Sequence, residues 1–404
     1  MTHRYPPPPP PLRGAGEIGA WLRRRQVRAV TLLTDPAVAA AEISAAVRQQ
    51  IRAAGLTATP VPVRPGGDLD AVRHLADALA PGELVVAVGG GTTLDLAKLA
   101  ALSSAHPEAM SRLSVPQRGG LVPLPPELGA SVRVLAVPTT LGTGSELGFV
   151  ACFGHGDGKR LAIGPCLRPE GAVWDARATA TLPPEAVVDG VLEALFRTVS
   201  PYIGDPTPLP VQDALVETLA RRLVRTGRET AAAIAAGRPV PGELRLRIAE
   251  LSAESQIGHT NAGRDPHAVK AWAVANELSV VLGLPKMRAL AVVWAAAWRR
   301  IAAGDTRYGD PDRMRALWRA VRTEAPELPT APQDGLVALM RDWQTPLDLR
   351  AAPDQLDRAA RRTVRAWGAG LPVLGELGVR DVRALLADAT TPEPSPLRAG
   401  APAP

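Results

Sequence analysis

Two glycine-rich stretches carry most of the chemistry that these residue types can offer. In the first, Val85-Val86-Ala87-Val88 runs directly into Gly89-Gly90-Gly91-Thr92-Thr93-Leu94-Asp95-Leu96-Ala97-Lys98. A β-rich run that ends in three glycines and continues as a helical pattern lets backbone N–H groups and a helix N-terminus approach a pyrophosphate with no side chain in between. A tight strand-to-helix connection can look the same, so this stretch alone does not establish a nucleotide site. In the second, the β-rich run 133–137 passes into Pro138-Thr139-Thr140-Leu141-Gly142-Thr143-Gly144-Ser145-Glu146, which again sets glycines among hydroxyls.

Together the two stretches resemble signatures of the iron-containing alcohol dehydrogenase superfamily (group III, with a dehydroquinate synthase-like fold), G-G-G-S-x-x-D-x-A-K and P-T-T-x-G-T-G-S-E, with Thr92 in place of the serine. The resemblance runs from Gly14-Ala15-Gly16 and Asp35, through Lys159 and Asp175, to residues 374–387. It implies an α/β N-terminal nucleotide-binding domain with a Rossmann-like parallel sheet and an all-α C-terminal helical domain. It also implies NAD(P) as cofactor, with Gly89, Gly90, Gly91 and Thr92 on the pyrophosphate and Thr139, Thr140, Thr143 and Ser145 on the nicotinamide and ribose side. Asp95 and Lys159 complete the implied cofactor-binding set. Asp35 falls where family members place a residue near the adenosine ribose. A carboxylate there accepts hydrogen bonds from the ribose hydroxyls and repels a 2′-phosphate, favouring NAD over NADP. A plain turn role for an aspartate before Pro36 is the lesser alternative.

The resemblance breaks down at the metal site. Family members hold Fe²⁺ or Zn²⁺ through an Asp and a His four residues later, then through two His fourteen residues apart, with one more His beside the nicotinamide. Here Glu193 and Arg197 stand at the first two positions, Trp272 and Lys286 at the other two, and Asn276 at the additional histidine. A guanidinium and an ammonium carry no free lone pair at neutral pH and an indole only donates, so Glu193 alone could still coordinate. No bound metal is expected. Arg197 and Lys286 would partly replace the metal's charge, and Glu193 and Arg197, four apart on one helix, should pair. His259 and His267 survive nearby, but their eight-residue spacing across the turn 261–266 matches no ordinary ligand pattern. Trp294 and Trp298 suit core filling or a pocket wall.

Two functions follow. One is an NAD-dependent oxidoreductase that moves hydride between the nicotinamide and an alcohol or carbonyl without a metal, with Lys286, Arg197, Glu193 and Asn276 as the catalytic set, Lys286 and Arg197 stabilising the alkoxide. The other is a catalytically degenerate subunit that serves as a structural or substrate-presenting partner of an active homologue. Small-molecule or peptide substrates and homo- or hetero-oligomers fit either, and natural-product or peptide tailoring in a GC-rich bacterium is the context that the Ala/Arg/Pro-rich composition points to.

The elements that must position these residues follow from periodicity. Up to residue 183, β-rich runs at 27–34, 84–88 and 133–137 alternate with helical patterns at 38–54 and 68–80, an α/β order with a largely parallel sheet. From 184 to 389 strands vanish, and amphipathic segments follow at 185–200, 211–225, 242–257, 267–282, 286–303, 311–323, 355–366 and 379–387. The stretch 119–129 reads as a surface loop, and the Pro-rich ends, 1–12 and 390–404, as disordered tails. With 404 residues, 46% hydrophobic, the chain can bury more than one core. Its net charge of +6 is spread among 40 acids rather than gathered in blocks, which argues against a nucleic-acid partner. Cys152 and Cys166 are too few for a disulfide framework and lack zinc-site spacing. The longest apolar run, 289–298, is too short to cross a bilayer, and prolines 6–11 occupy the place of a signal peptide's apolar region. A soluble cytoplasmic protein without membrane partners is expected.

Overall fold

The computed structural model describes residues 8–392 except 64–66, 81, 116–118, 130, 157, 258, 266 and 369. Elements follow in the order α1 (Ile18–Arg24), β1 (Val30–Thr34), α2 (Glu42–Ala53), β2 (Ala58–Pro62), α3 (Leu69–Ala78), β3 (Leu84–Gly89), α4 (Gly91–Ala105), α5 (Pro107–Ser114), β4 (Leu121–Pro123), β5 (Val132–Pro138), β6 (Val150–His155), β7 (Gly158–Ile163) and β8 (Pro169–Ala172). Helices then dominate: α6 (Pro184–Gly204), α7 (Pro210–Ala235), α8 (Gly242–Ile257), α9 (Lys270–Leu282), α10 (Lys286–Ala302), α11 (Pro311–Arg322), α12 (Pro332–Asp342), α13 (Pro353–Thr363) and α14 (Val379–Ala389). Two short strands, β9 (Arg350–Ala351) and β10 (Thr391–Pro392), pair in parallel. No described helix is long and apolar enough to cross a membrane.

By contacts the chain forms two compact units, Met1–Thr198 with Leu209–Gly263, and Val199–Pro208 with Arg264–Pro404. Most of α6, all of α7 and all of α8 therefore group with the sheet, whereas the sequence places the division at 183/184.

The first unit is built on a parallel sheet of order β2-β1-β3-β5-β8. Every residue of β3 is buried because helices cover both faces of the sheet. The strand period of two divides its side chains. Val85 and Ala87 join a core with Leu75, Leu94 and Leu99 from α3 and α4. Val86 and Val88 join another with Leu22, Ile43 and Val47 from α1 and α2.

Several elements depart from the sequence expectation. Residues 119–129 contain β4, which pairs with β7 of the β6–β7 hairpin, so this stretch is not simply a loop. Strand β2 holds two prolines, which remove ladder donors and hide it from pattern reading; an edge strand with a neighbour on one side only tolerates them. Leu12 lies within the expected tail 1–12 yet is buried, giving its N–H to Ala172 O at 2.8 Å and accepting from Trp174 N at 2.9 Å. Residues 1–7 and 393–404 of the two expected tails lie outside the described residues. Helix α7 runs ten residues beyond the expected end at 225, since the buried Thr226 and Thr230 there break the apolar pattern; the Thr230 hydroxyl is satisfied by Thr226 O at 2.8 Å.

In the second unit, α9 packs on α10 and α13, and α10 on α12 and α14. Helix α12 was absent from the periodicity because Gly335 weakens its signal. That glycine is required: an added Cβ would come within 2.0 Å of the Trp318 ring. Trp294, Trp298 and Trp318 stack edge to face at 5.7 and 6.0 Å, core filling as the spacing suggested.

Candidate nucleotide and redox site

In the first unit the strand order reverses between β1 and β3, and the carboxyl ends of strands beside such a switch point form the crevice where parallel α/β sheets bind ligands. Asp35 follows β1 there, Gly89–Gly91 close β3 and open α4, and Pro138–Thr140 leave β5. Thr139 N–H bonds Gly89 O at 2.9 Å, locking the two glycine-rich stretches side by side. The N-terminus of α4 has no side-chain cap, so its first N–H groups are open to an anion. A Cβ added to Gly90 would meet the Thr140 methyl at 2.9 Å, and one added to Gly91 the Thr143 methyl at 3.1 Å. The hydroxyls of Thr140 and Thr143 are buried without a hydrogen-bond partner. A side-chain-free turn, an uncapped helix and two unmet hydroxyls together fit the pyrophosphate and ribose of a dinucleotide.

Not every expected cofactor residue is free for that task. Thr92 is exposed in the first turn of α4. Asp35 Oδ1 accepts from Ala37 N at 3.0 Å, the turn role, while Oδ2 accepts from Thr93 Oγ1 at 3.2 Å. The carboxylate is half-buried and each oxygen keeps a lone pair. Asp95 and Ser145, expected at the cofactor, bond each other instead: Ser145 Oγ donates to Asp95 Oδ1 at 2.6 Å, and Asp95 Oδ2 accepts from Cys152 N at 2.9 Å. Lys98, fully buried, pairs with Asp95 at 3.0 Å and donates to Ser145 O and Val150 O. The D-x-x-K end of the first stretch is thus a clamp that holds the S-E end of the second. Lys159 stands exposed on β7, opposite Gly154 in the hairpin.

Helix α6 carries the pair the sequence predicts: Arg197 Nη2 lies 3.4 Å from Glu193 Oε1. The rest of the guanidinium is turned to the second stretch. Arg197 donates to Gly142 O, more weakly to Thr143 O at 3.5 Å, and to Ser255 Oγ at 3.0 Å. Gln256 Nε2 adds a bond to Thr143 O at 3.0 Å. Gly142, at φ +86°, sits so close to Gly190 of α6 that an added Cβ would be 2.6 Å from its backbone. Burial pulls the Arg197 guanidinium below the usual arginine range, with Glu193 and Glu146 pulling it back. The sequence reading overlooked Glu146 as a functional group. It is 5% exposed, and burial pushes its carboxyl up against its own backbone amide, Trp174, Arg197 and Lys98. The only sequence signal was an acid closing a glycine-rich stretch.

Trp272, Asn276 and Lys286 belong to the second unit. Trp272 on α9 is half-buried and meets Trp367 edge to face at 5.0 Å. Asn276 is buried and donates Nδ2–H to Glu277 Oε1 at 3.1 Å. Glu277 also accepts from Trp367 Nε1 and pairs with Arg362, both at 3.1 Å. Lys286, half-buried, is the first residue of α10. His259 is exposed in the first unit, and His267 is half-buried in the second. Among the described residues no three His, Cys, Asp or Glu side chains gather as a metal cluster.

Comparison with known proteins finds likenesses in sequence and in fold. Residues 13–176 match the sequence model of the family described as iron-containing alcohol dehydrogenase. The chain is 29% identical over 220 residues to the NADPH-dependent aldehyde reductase YqhD of Escherichia coli (strain K12), a match covering 53% of each chain, so it spans about half the length of that relative. Two solved structures share the fold at low identity. NADH-dependent butanol dehydrogenase A from Thermotoga maritima superposes with a TM-score of 0.78 at 18% identity, covering 97% of this chain and 99% of that one. An iron-containing alcohol dehydrogenase from Thermococcus thioreducens gives 0.73 at 16% identity, covering 95% and 99%. Residues 13–176 are thus similar to the iron-containing alcohol dehydrogenase family, and the chain shares the fold of these two solved structures.

Proposed function

We propose that the protein is an NAD(H)-dependent oxidoreductase that interconverts an alcohol and a carbonyl compound without a bound metal. The observation that carries this is the pair of buried, unpartnered hydroxyls, Thr140 and Thr143, beside three glycines and the uncapped start of α4. The bound nicotinamide would supply the hydride acceptor or donor. Gly89–Gly91 and the first N–H groups of α4 would hold the pyrophosphate, Thr140 and Thr143 the ribose and nicotinamide side, and Asp35 the adenosine ribose. Two of the proteins named above are NADPH- or NADH-dependent by their names, which supports a nicotinamide cofactor.

The family's metal does not fit the residues here. Arg197 has no lone pair to offer and spends its N–H groups on Gly142, Thr143, Ser255 and Glu193. Trp272 and Lys286 are equally unable to ligate. Arg197 holds the glycine-rich loop, and stabilising the developing alkoxide falls to Lys286. That Arg197 serves a loop also favours a second reading, a non-catalytic subunit that keeps the cofactor and supports an active homologue.

Calorimetric titration with NADH and NADPH, together with elemental analysis of protein grown with iron or zinc, tests the proposal. The expected outcome is NADH binding tighter than NADPH, a preference narrowed by Asp35→Gly, and no stoichiometric metal. About one metal per chain, lost on mutating Glu193 or His267, would refute the metal-free part; failure to bind either nucleotide would refute the whole.

A further inference from the structure

The first unit holds a small, partly open cavity that adjoins the proposed cofactor cradle at Thr140. Its walls include Thr140, Glu146, Trp174, Asp175, Arg245 and Ser252, and its volume of about 10 Å³ has room for about one water molecule. Three of these wall residues carry a polar atom that is buried without a hydrogen-bond partner: Thr140 Oγ1, Trp174 Nε1 and Ser252 Oγ. Ser252 is 2% exposed. The Trp174 indole acts on the Glu146 carboxyl, yet no hydrogen bond closes between them. Unpartnered polar groups beside such a gap call for an ordered water, and a water with two to four polar partners is a stable occupant of a polar cavity.

We propose that this cavity is an internal-water site that joins the Glu146 carboxyl to the Thr140 hydroxyl and carries the proton that alcohol–carbonyl interconversion must move. This rests on the oxidoreductase function proposed above. When an alcohol is oxidised, its C–H electron pair leaves with the hydrogen as hydride to the nicotinamide, and its O–H proton needs a base. Thr140 takes that proton as it gives its own to the water, the water passes one on, and the Glu146 carboxylate becomes a neutral acid. Reduction runs the same chain backwards. The charged groups that act on Glu146 are Arg197 and Lys98, with Asp175 and Arg245 on the cavity wall. Burial raises the carboxyl's affinity for a proton, which suits a group that must take one up.

The test uses the full chain and three measurements. A crystal structure fine enough to place solvent should find water bonded to Thr140, Trp174 and Ser252; a dry cavity overturns the proposal. In infrared spectra the Glu146 carboxylic C=O band, assigned by its loss in Glu146→Gln, should shift in Ser252→Val, whose added carbon displaces the water. An unmoved band overturns it. In kinetics, Ser252→Val should lower kcat about a hundredfold, the lower end of the range for proton transfer by a positioned group, with a displaced pH profile and unchanged NADH affinity. Unaltered kcat and pH profile overturn the proton role. The isosteric Thr140→Val breaks the chain at its other end should Ser252→Val not fold. If the unmutated protein binds no NADH and turns over no alcohol or aldehyde, the oxidoreductase function fails, while diffraction and infrared still decide the water site.

Discussion

Arg197 and Lys286 are both cations at positions where relatives are expected to place metal ligands, but their surroundings differ. Arg197 grips the carbonyls of the second glycine-rich stretch, so Arg197→Ala should loosen that stretch. It would also break the half-buried Glu193 pair, and losing charge-assisted bonds of this kind costs about 1.5–3 kcal/mol. Because the Glu193 side chain keeps 15% exposure, the lower end of that range is expected. Denaturant unfolding should register the loss, and an unchanged midpoint would contradict the grip. Lys286 instead begins α10, where the helix dipole disfavours a cation, so its placement is poorly explained by helix stability. Lys286→Ala should leave NADH affinity and melting temperature nearly unchanged while lowering turnover about a hundredfold, the scale of losing one preorganised charge. A stable variant with full turnover would refute its proposed role.

At the scale of elements, the second glycine-rich stretch is fixed from several sides. Thr139 hangs on the end of β3, Lys98 and Asp95 of α4 hold Ser145, and α6 and α8 supply Arg197 and Gln256. Gly142 is where this fixing is tightest, because φ is positive and the Gly190 backbone leaves no room for a Cβ. Gly142→Ala combines both penalties and should destabilise the protein by about 1–3 kcal/mol. It should also weaken NADH binding by displacing the neighbouring Thr140 and Thr143. Comparing it with Gly237→Ala, at φ +64° with open space around it, separates backbone strain from steric conflict; equal losses would mean that the Gly190 contact is unimportant.

For the whole first unit, Asp175 ties the start of the chain to the end of the sheet. It accepts from Ala15 N at 2.9 Å and is held by the Arg177 guanidinium at 2.7 Å. The Arg177 hydrogen bond, outweighing burial, holds its carboxyl down to about 2. Because the folded value lies below the ordinary unfolded value of about 3.9, its stabilisation is complete above pH ~4 and is lost as pH falls towards 2. Asp175→Asn should therefore melt lower than the unmutated protein at neutral pH, with the gap closing between about pH 4 and 2. A gap independent of pH, measured by thermal melts followed by circular dichroism, would show that the charge is not what matters.

Local rules were enough to place the parallel sheet, the glycine turn into α4 and most of the later helices, because period-two and period-3.6 burial and the freedom of glycine are written in neighbouring residues. The Glu193–Arg197 pair was legible for the same reason, being one helical turn apart. Strands β2, β4 and β8 and the helix α12 were not, since prolines, shortness or a packing glycine erase their pattern and only partners distant in sequence stabilise them. The same limit applies to the site. Sequence motifs place Asp95 and Ser145 beside a cofactor, but the tertiary structure turns them on one another, 50 residues apart along the chain, with Lys98 paired to Asp95. Glu146, Trp174 and Ser252 meet around one cavity although nothing in their spacing connects them. Burial and hydrogen-bond pairing are properties of the folded core, and they decide which polar groups remain available for chemistry.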